Sequence, residues 1–333
     1  IIFKMYSYLP KIEQEYIANC LSSNIRQDNR QMNSYRNLRI EKLFNNGQVK
    51  VSLGNTVVIG QIFSSLVAPN KDRSQEGLVM FNIDTSNIKH PAEGNSLQEE
   101  VSELRTRLNN LLEKSLKDSK AIDTNCLNIV SGKIVWKIVI NLLILNHDGN
   151  AYDSVYLAAL ASWMSYKIPF FKNEEDVNKG ITKQTRFIHL PIIHVPVCIT
   201  SCIIKGKLVV DPNLEEEKIS DGIILISSNQ YNKICYVHTY NSFQFSSDEL
   251  VEMISFGKSW VERFEDLLRE FRRVCDQEGF VEMINQTSSF KEYEKLLEEG
   301  NKEVEDVVMD NKHILHSIKT EGMKKGNLFK IKS

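Results

Sequence analysis

The stretch IVINLLILNHDGNAYDSVYLAALAS, residues 138–162, is the part of the sequence that decides the fold. Its first nine residues are almost continuously apolar, which predicts a strand that is buried on both faces. The following small and apolar residues predict a buried helix over 152–164. A turn that contains a glycine, at 147–150, joins the two. The stretch therefore predicts a strand that leads directly into the N-terminus of a helix.

This turn raises a question about charge. The amides at a helix N-terminus point outward with a positive dipole behind them, and many proteins hold a phosphate there. The turn has no Lys or Arg, and two aspartates, Asp148 and Asp153, lie in and just after it. A carboxylate near a helix start can cap the helix and use the dipole that would otherwise bind phosphate. We therefore expect Asp153 to cap this helix.

Predicted strands and helices continue on both sides of this stretch. Those before it are a helix at 9–24, strands between 38 and 69 and at 77–86, and an amphipathic helix at 97–119. Those after it are strands at 190–204, 206–213, 221–229 and 233–240, and a helix at 247–276 that Ser246 and Glu249 would cap. Strands followed by a helix, twice over, predict an α+β protein built from two similar mixed-sheet and helix halves.

The bulk composition bounds the class of protein. A chain of 333 residues fits two modest domains, and 42% hydrophobic with 25% charged residues is ordinary for a soluble globular protein. We predict an N-terminal domain at 1–186, a C-terminal domain at 187–280 and a charged, helical or disordered tail at 281–333. No apolar run has the length of a membrane span, so we expect no membrane partner. The net charge of −2 means that any nucleic-acid contact must come from a local patch.

The cysteines and histidines do not predict a metal site. None of the six cysteines forms a Cys-x-x-Cys pair, and Cys198 and Cys202 lie in an apolar, strand-like run. We expect buried, reduced thiols rather than a disulfide or a metal site. His189 and His194 have no carboxylate or Cys partner at metal spacing, and we interpret them as structural. We therefore expect neither a bound metal nor a cofactor.

Six motifs occur in an order that resembles RNase PH-like proteins. They are IRQDNRQMNSYRNLRI at 25–40, VSLGNTVVIGQI at 51–62, the helix at 97–119, IDT at 122–124, NHDGN at 146–150 and LVVDPNLEEE at 208–217. The last three resemble the non-catalytic ring subunits of the eukaryotic RNA exosome. The resemblance covers roughly residues 20–275 and implies an RNase PH-like fold with two halves like domain 2 of ribosomal protein S5. Asn29 replaces the usual Gly of a D-G-R turn, and Asn tolerates a positive φ.

The resemblance also implies a function. It implies a non-catalytic structural subunit of the exosome ring, which helps form the channel that guides RNA to associated 3′–5′ exoribonucleases in rRNA processing, RNA degradation and mRNA decay. The implied partners are the other RNase PH-like ring subunits, RNA-binding cap subunits, the associated exoribonucleases and RNA itself. The implied localisation is the nucleus, including the nucleolus, and the cytoplasm.

The turn differs from that of the active enzymes in this family. Their turn reads Gly-Gly-Thr-Arg and holds the attacking phosphate, whereas the matching residues Asp148, Gly149, Asn150 and Asp153 lack the Thr and the Arg. We expect a degenerate site that keeps its structural role without its ligand. The alternative is a phosphate site that is retained but rearranged.

An acidic cluster follows a strand of the second half: Asp211, Glu215, Glu216, Glu217 and Asp221. Carboxylates of this kind can bind Mg²⁺, but we favour a solvated acidic loop or a surface that meets basic residues of a neighbour. If the cluster does bind metal, the alternative function is an active phosphate-dependent 3′–5′ exoribonuclease. A binding module unrelated to RNA is a third hypothesis, because a fold does not fix function.

The helix at 97–119 carries a polar stripe opposite its leucines. At about 100° per residue, Arg107, Asn110, Lys114 and Lys117 fall on one side. The candidate contacts to RNA phosphates are the cations Arg105, Arg107, Lys114 and Lys117. Contacts to phosphate suit a channel that accepts any sequence. The alternative is an ordinary solvated helix face. A second basic cluster lies upstream and is expected to fix turns and neighbouring subunits: Arg26, Arg30, Arg36 and Arg39.

Overall fold

The computed structural model describes residues 9–43, 46–88, 95–179, 181, 185–231, 233–240, 247–277 and 328–330. The helices in these ranges are α1 (Lys11–Ser22), α2 (Asn95–Leu112), α3 (Ala151–Ser165), α4 (Glu174–Lys179), α5 (Leu214–Ile219) and α6 (Ser247–Gln277). The strands are β1 (Leu38–Lys42), β2 (Val49–Leu53), β3 (Thr56–Val67), β4 (Leu78–Asp84), β5 (Asn128–Val130), β6 (Ile134–Asn146), β7 (Lys167–Pro169), β8 (Phe187–His189), β9 (Val197–Ile204), β10 (Lys207–Val210), β11 (Gly222–Ser228), β12 (Ile234–Tyr240) and β13 (Leu328–Lys330).

Two unequal sheets form the body of the protein. The first has seven strands in the order β13-β1-β2-β3-β6-β4, with β5 paired to β6, and the second has four in the order β10-β9-β11-β12. All pairs are antiparallel except β4 with β6. The α+β class with two mixed-sheet and helix halves is therefore confirmed, although the halves differ in size.

Helix α3 lies at the centre of the molecule. All of its residues are buried, and it packs against β2 and β3 of the first sheet and β9 of the second. A helix that neighbours cover on every side needs apolar residues all round, which explains its run of Val, Leu and Ala. The quoted stretch therefore forms the predicted strand, β6, and then the helix that joins the two halves.

Helix α2 differs from the regular helix predicted at 97–119. The α-helix ends at Leu112, and residues Glu113–Asp118 continue as a π-helical segment. The hydroxyl of Ser115 is buried in this segment and lies 2.7 Å from the Tyr156 hydroxyl and 2.8 Å from the Ser227 hydroxyl. A π-helical segment widens the helix and changes which way its side chains face. The even 100° spacing of the predicted stripe is therefore wrong beyond Leu112.

An N-terminal strap, residues 23–36, runs from α1 to β1 across the second half of the protein. Helix α1 packs on α5, and the backbone N–H of Val210 donates to the Met32 carbonyl at 2.9 Å. Within the strap, Asn29 has a φ of 59°, so Asn takes up the left-handed conformation that the resemblance implied for this turn.

Several element boundaries differ from the predicted ones. Strand β8 pairs with β7, so this small sheet joins residues on both sides of the predicted boundary at 186/187, and the three-part division stays a prediction. The strand predicted at 190–204 begins only at Val197. Helix α5 was not predicted; it forms within the acidic cluster, where the Asn213 N–H donates to the Glu216 carboxylate at 2.8 Å.

Two predictions concern residues that the structure does not describe. Ser246 of the predicted capping box lies outside the described residues, and so does most of the predicted tail. The described part of the predicted tail, Leu328–Lys330, is strand β13 on the edge of the first sheet rather than helical or disordered. In the described ranges, no helix combines the length and the apolar composition that crossing a membrane requires.

Candidate functional site

The turn between β6 and α3 is capped by Asn150. This residue has φ 50° and ψ 52°, and its side-chain oxygen accepts a hydrogen bond from the Asp153 N–H at 3.2 Å. The prediction that Asp153 caps the helix is therefore wrong. The short amide side chain of Asn tolerates the left-handed conformation and satisfies one of the unpaired amides of the first helical turn.

Asp153 instead joins the two halves of the protein. Its fully buried carboxylate accepts hydrogen bonds from the Tyr35 hydroxyl at 2.9 Å, the Asn150 side-chain amide at 2.9 Å, and the hydroxyl and N–H of Thr200 at 2.7 and 3.1 Å. Burial raises the pKa of Asp153 to about 6, against the lowering effect of these donors. The carboxylate therefore ties α3 to β9 and to the strap.

A different carboxylate occupies the anion-binding position at the N-terminus of α3. The Asn150 N–H donates to Oε1 of Glu217 at 2.7 Å. Helix α5 brings Glu217 there, because the backbone of 212–214 packs directly on Gly149. The N-terminus of α3 thus faces a carboxyl group from the protein's own second half at the position where such a terminus can bind an anion.

Arg36 is the cation nearest to this position, and protein acceptors surround it. Its guanidinium donates to the carbonyls of Asp148 and Gly149 at 2.6 and 3.1 Å, and to the two carboxylate oxygens of Asp211 at 2.9 and 3.0 Å. The side chain is only 8% exposed. Since each of its nitrogens already donates to the protein, Arg36 is held as a structural cation.

Asp211 is the centre of this charged cluster. Its buried carboxylate also accepts hydrogen bonds from Arg30 at 2.9 Å and from the Asn150 side chain at 2.7 Å. Burial alone would raise the pKa of Asp211, but the charges and hydrogen bonds of Arg36 and the charge of Arg30 outweigh it. The pKa therefore lies below its ordinary value of 3.8.

The adjacent Glu216 forms a second buried ion pair, with Arg26. The guanidinium donates to both carboxylate oxygens at 3.0 and 2.6 Å and to the carbonyls of Val210 and Asp211, each at 2.9 Å. Two parallel hydrogen bonds of this kind are among the strongest side-chain contacts. Arg26 is 1% exposed, so the strap is anchored inside the second half.

The acidic cluster is therefore not a solvated loop, and that prediction is wrong. Asp211, Glu216 and Glu217 point inward to arginines of the same chain or to the N-terminus of α3. Of the five predicted carboxylates, Asp221 alone is exposed, and it accepts a hydrogen bond from the Lys205 N–H at 2.9 Å. Among the described residues, no three His, Cys, Asp or Glu side chains are grouped so that they could hold a metal ion.

The predicted basic stripe divides into two parts. Arg107 is half-buried, forms an ion pair with Glu103 at 2.6 Å, and places its guanidinium 4.4 Å from the ring centre of Tyr240. Lys114 is exposed and lies close enough to His238 of β12 to lower the pKa of that histidine.

The remaining stripe residues face other surroundings. Lys117 lines a cavity of about 890 Å³ together with the oppositely charged Asp118 and Asp123. Arg105 is exposed, and its guanidinium lies 3.4 Å from the side-chain oxygen of Asn82 in β4. Asn110 is exposed as predicted. The stripe is therefore a set of separate cations around α2 rather than one straight row.

Comparison with known families identifies the family to which this architecture belongs. Residues 34–169 match domain 1 of the 3′ exoribonuclease family, RNase PH, and residues 194–259 match domain 2 of the same family. The two matches together span more than half of the chain. The chain belongs to the RNase PH family. The resemblance inferred from the six motifs is thereby confirmed.

Similar proteins within the RNase PH family bear the names of exosome components. The chain is 32% identical over 265 residues to exosome complex component RRP45 of Rattus norvegicus, covering 79% of the chain and 60% of that protein. It is 30% identical over 228 residues to rrp45 of Schizosaccharomyces pombe, covering 68% and 77%, respectively. It is 29% identical over 263 residues to Rrp42 of Thermococcus gammatolerans, covering 78% and 94%. The chain thus spans 60% of the length of the rat protein.

Solved structures agree with the RNase PH fold. An archaeal exosome core superposes with a TM-score of 0.65 at 23% identity, covering 79% of this chain and 97% of the other. An Archaeoglobus fulgidus exosome with RNA bound to the active site gives a TM-score of 0.66 at 23% identity, covering 77% and 97%. At this identity the likeness establishes the fold alone.

The position of Glu217 makes the stability of this RNase PH family member depend on pH. Burial raises the pKa of Glu217 from 4.5 to about 7. The charges of Asp211 and Asp153 act in the same direction, whereas the Asn150 N–H and Arg36 oppose it. A carboxyl whose folded pKa is raised stabilises the fold fully below its unfolded pKa, and this stability is lost as the pH rises through the folded pKa. The free energy of unfolding is therefore expected to fall between about pH 4.5 and 7, with about 1–2 kcal/mol of the fall due to this partly exposed group.

Glu217→Gln tests this expectation, because the amide oxygen can still accept from Asn150 while the group no longer titrates. Urea unfolding at pH 5, 6, 7 and 8 should show a smaller fall in the variant than in the unaltered chain. Glu215→Gln on the same helix is the matched control, and it should leave the fall unchanged. An identical pH profile for all three proteins would contradict the assignment.

Proposed function

We propose that the chain is a non-catalytic structural subunit of an RNA exosome ring, which helps form the channel that guides RNA to associated 3′–5′ exoribonucleases. The processes served are rRNA processing, RNA degradation and mRNA decay. The observation that carries the proposal is the contact between the Glu217 carboxylate and the N-terminus of α3, at the turn that matches the phosphate-binding turn of active relatives. The names of the similar proteins support the assignment to an exosome.

The electrostatics of the turn argue against the alternative, an active phosphate-dependent exoribonuclease. Inorganic phosphate would have to displace Glu217 and then approach the buried carboxylates of Asp211 and Asp153, which repel an anion at short range. To bind that phosphate through Nε and Nη2 together, Arg36 would have to give up its hydrogen bonds to Asp211. Breaking a buried ion pair in this way costs several kcal/mol. The same pairing keeps the acidic cluster from acting as a magnesium site.

An assay for phosphorolysis tests the absence of catalysis. The purified full chain is incubated with end-labelled single-stranded RNA, inorganic phosphate and Mg²⁺, and the release of nucleoside diphosphates is measured. We expect no release above a protein-free blank, under conditions where a phosphorolytic RNase PH-type enzyme degrades the strand. Phosphate-dependent release by the chain, unaffected by further purification, would establish the alternative function.

The exposed cations around α2 are proposed to contact RNA. Lys114, Lys117 and Arg105 offer charges to passing phosphates, and Arg107 lies beside them in the contact with Tyr240. Contacts to phosphate carry no sequence information, which suits a path for any RNA. We expect the double substitution Lys114→Glu with Lys117→Glu to weaken binding of single-stranded RNA about 10-fold and to reduce the slope of log affinity against log salt concentration by about 1.4.

Fluorescence anisotropy with labelled RNA at several salt concentrations measures both quantities. Lys133→Glu is the control, because Lys133 is also well exposed but pairs with Glu174 at 2.8 Å, away from α2. A loss of free energy about half as large in the control, which changes the net charge by half as much, would point to net charge alone. An unchanged affinity in the double variant would remove α2 from the RNA path.

The proposed partners are the other RNase PH-like subunits of the ring, RNA-binding cap subunits and the associated exoribonucleases. Co-expression with RNase PH-like exosome subunits, followed by size-exclusion chromatography, should yield a ring that contains one copy of this chain. The proposed localisation is the nucleus, including the nucleolus, and the cytoplasm. Microscopy of the tagged chain tests it, and exclusion from both compartments would contradict it.

A further inference from the structure

Three ring-bearing side chains form a column on one face of β12. Tyr236, His238 and Tyr240 alternate along the strand and therefore point to the same side. The rings of Tyr236 and His238 are stacked with centroids 5.9 Å apart and planes 20° apart, and His238 meets Tyr240 edge to face at 4.5 Å. Strand β12 is the last strand of the second sheet, so the column lies at its edge.

Helices α2 and α3 hold the column in place. Tyr240 stacks on Tyr152 of α3 at 5.7 Å, and the Arg107 guanidinium lies over its ring. The two tyrosines are 9% exposed, whereas His238 is more open. The result is a supported aromatic column whose middle ring, that of His238, is half-buried.

Two cations, Lys114 and Arg107, lie near the half-buried ring of His238. Burial first, and then the charges of Lys114 and Arg107, lower the pKa of His238, so the imidazole is neutral at physiological pH. Tyr236 and Tyr240 are the other titratable groups against it, and both remain neutral because burial raises their pKa values. A neutral ring beside an exposed ammonium group is an arrangement that suits a nucleobase and its phosphate together.

We propose that His238, supported by Tyr236 and Tyr240, is a stacking subsite for one unpaired base of single-stranded RNA, while Lys114 contacts an adjacent phosphate. This inference rests on the proposed RNA-guiding function and adds to it a preference for single strands. Bases in an A-form duplex are already stacked and cannot reach a protein ring, whereas an unpaired base can. Stacking does not depend on base identity, so the subsite remains tolerant of sequence.

The test compares two strands that differ only in their bases. Fluorescence anisotropy measures the affinity of the full chain for a labelled single-stranded RNA and for an abasic ribose-phosphate strand of equal length. His238→Ala should lower affinity for the RNA about 5- to 10-fold, leave affinity for the abasic strand unchanged, and leave the salt dependence unchanged. His238→Phe should restore binding, because it keeps an aromatic face.

Further variants make each outcome decisive. Thr239→Ala, an exposed neighbour on the other face of β12, is the matched control and should have no effect. If His238→Ala fails to fold by circular dichroism, His238→Gln replaces it, with the same expected loss. Equal losses on both strands, no loss on either, or no rescue by Phe would each overturn the stacking subsite. Lys114→Glu should weaken both strands; if it weakens neither, the proposed RNA path itself fails.

Discussion

Replacing Asp211 by Ala is expected to lower the free energy of unfolding by about 3–5 kcal/mol. The carboxylate accepts hydrogen bonds from Arg30, Arg36 and Asn150, and its own exposure is 0%. Removing it leaves two guanidinium groups, which are 14% and 8% exposed, with only the more exposed carboxylates of Asp28 and Asp148 as counter-charges. A buried charge that has lost its buried partner costs more than the ion pair contributed.

Urea unfolding at pH 7, followed by far-UV circular dichroism, measures this loss. Asp221→Ala removes an exposed carboxylate from the same region and should cost no more than about 1 kcal/mol. The comparison separates the loss of a buried counter-charge from a general loss of negative charge. Similar midpoints for the two variants would mean that Asp211 does not hold the arginines.

Gly149→Ala is expected to destabilise the protein by about 3 kcal/mol, part from backbone strain and part from a steric clash. Gly149 has a φ of +80°, and an added Cβ would lie 2.4 Å from both the Asn213 carbonyl carbon and the Leu214 nitrogen. Neither backbone atom can move without shifting α5. The clash should also lengthen the hydrogen bond that Glu217 accepts from Asn150.

Gly132→Ala is the matched control, because Gly132 has a φ of +76° but nothing lies within 4 Å of an added Cβ. It should cost only the backbone strain, about 1 kcal/mol. Thermal and urea unfolding of both variants give the difference, and faster exchange of the Asn150 amide hydrogen in Gly149→Ala would report the displaced carboxylate. Equal losses at the two glycines would show that α5 does not press on the turn.

The parts of the fold that depend on local pattern could be predicted from the sequence. The apolar run of β6, the small residues of α3 and the left-handed Asn29 all follow from properties of neighbouring residues. The boundary between α2 and its π-helical segment could not, because it depends on the burial of Ser115 between α3 and β11. A regular spacing along a helix says nothing about contacts of that kind.

The candidate site, like the fold, could be predicted from the sequence only where it depends on local pattern. The sequence shows a group of carboxylates and a group of arginines. It does not show that they form ion pairs, because the partners are up to 190 residues apart and only the fold brings them together. Asp153 was predicted to be a cap because a carboxylate in the first turn often is. The neighbouring Asn150 takes that position because its side chain suits the left-handed turn. The ring column of β12 could have been found from the alternation in CYVHTY.

The strap has a consequence for how the protein folds during translation. Arg26 leaves the exit tunnel 190 residues ahead of Glu216, which at ordinary rates of translation is an interval of about 10–40 s. Throughout that interval the three strap arginines are solvated and lack their carboxylate partners from the second half. We expect nascent chains stalled before residue 211 to be cut readily by trypsin at 26–36, and chains extended past 277 to resist cleavage there. The strap is thus made before the second half of the protein and fixed only after it.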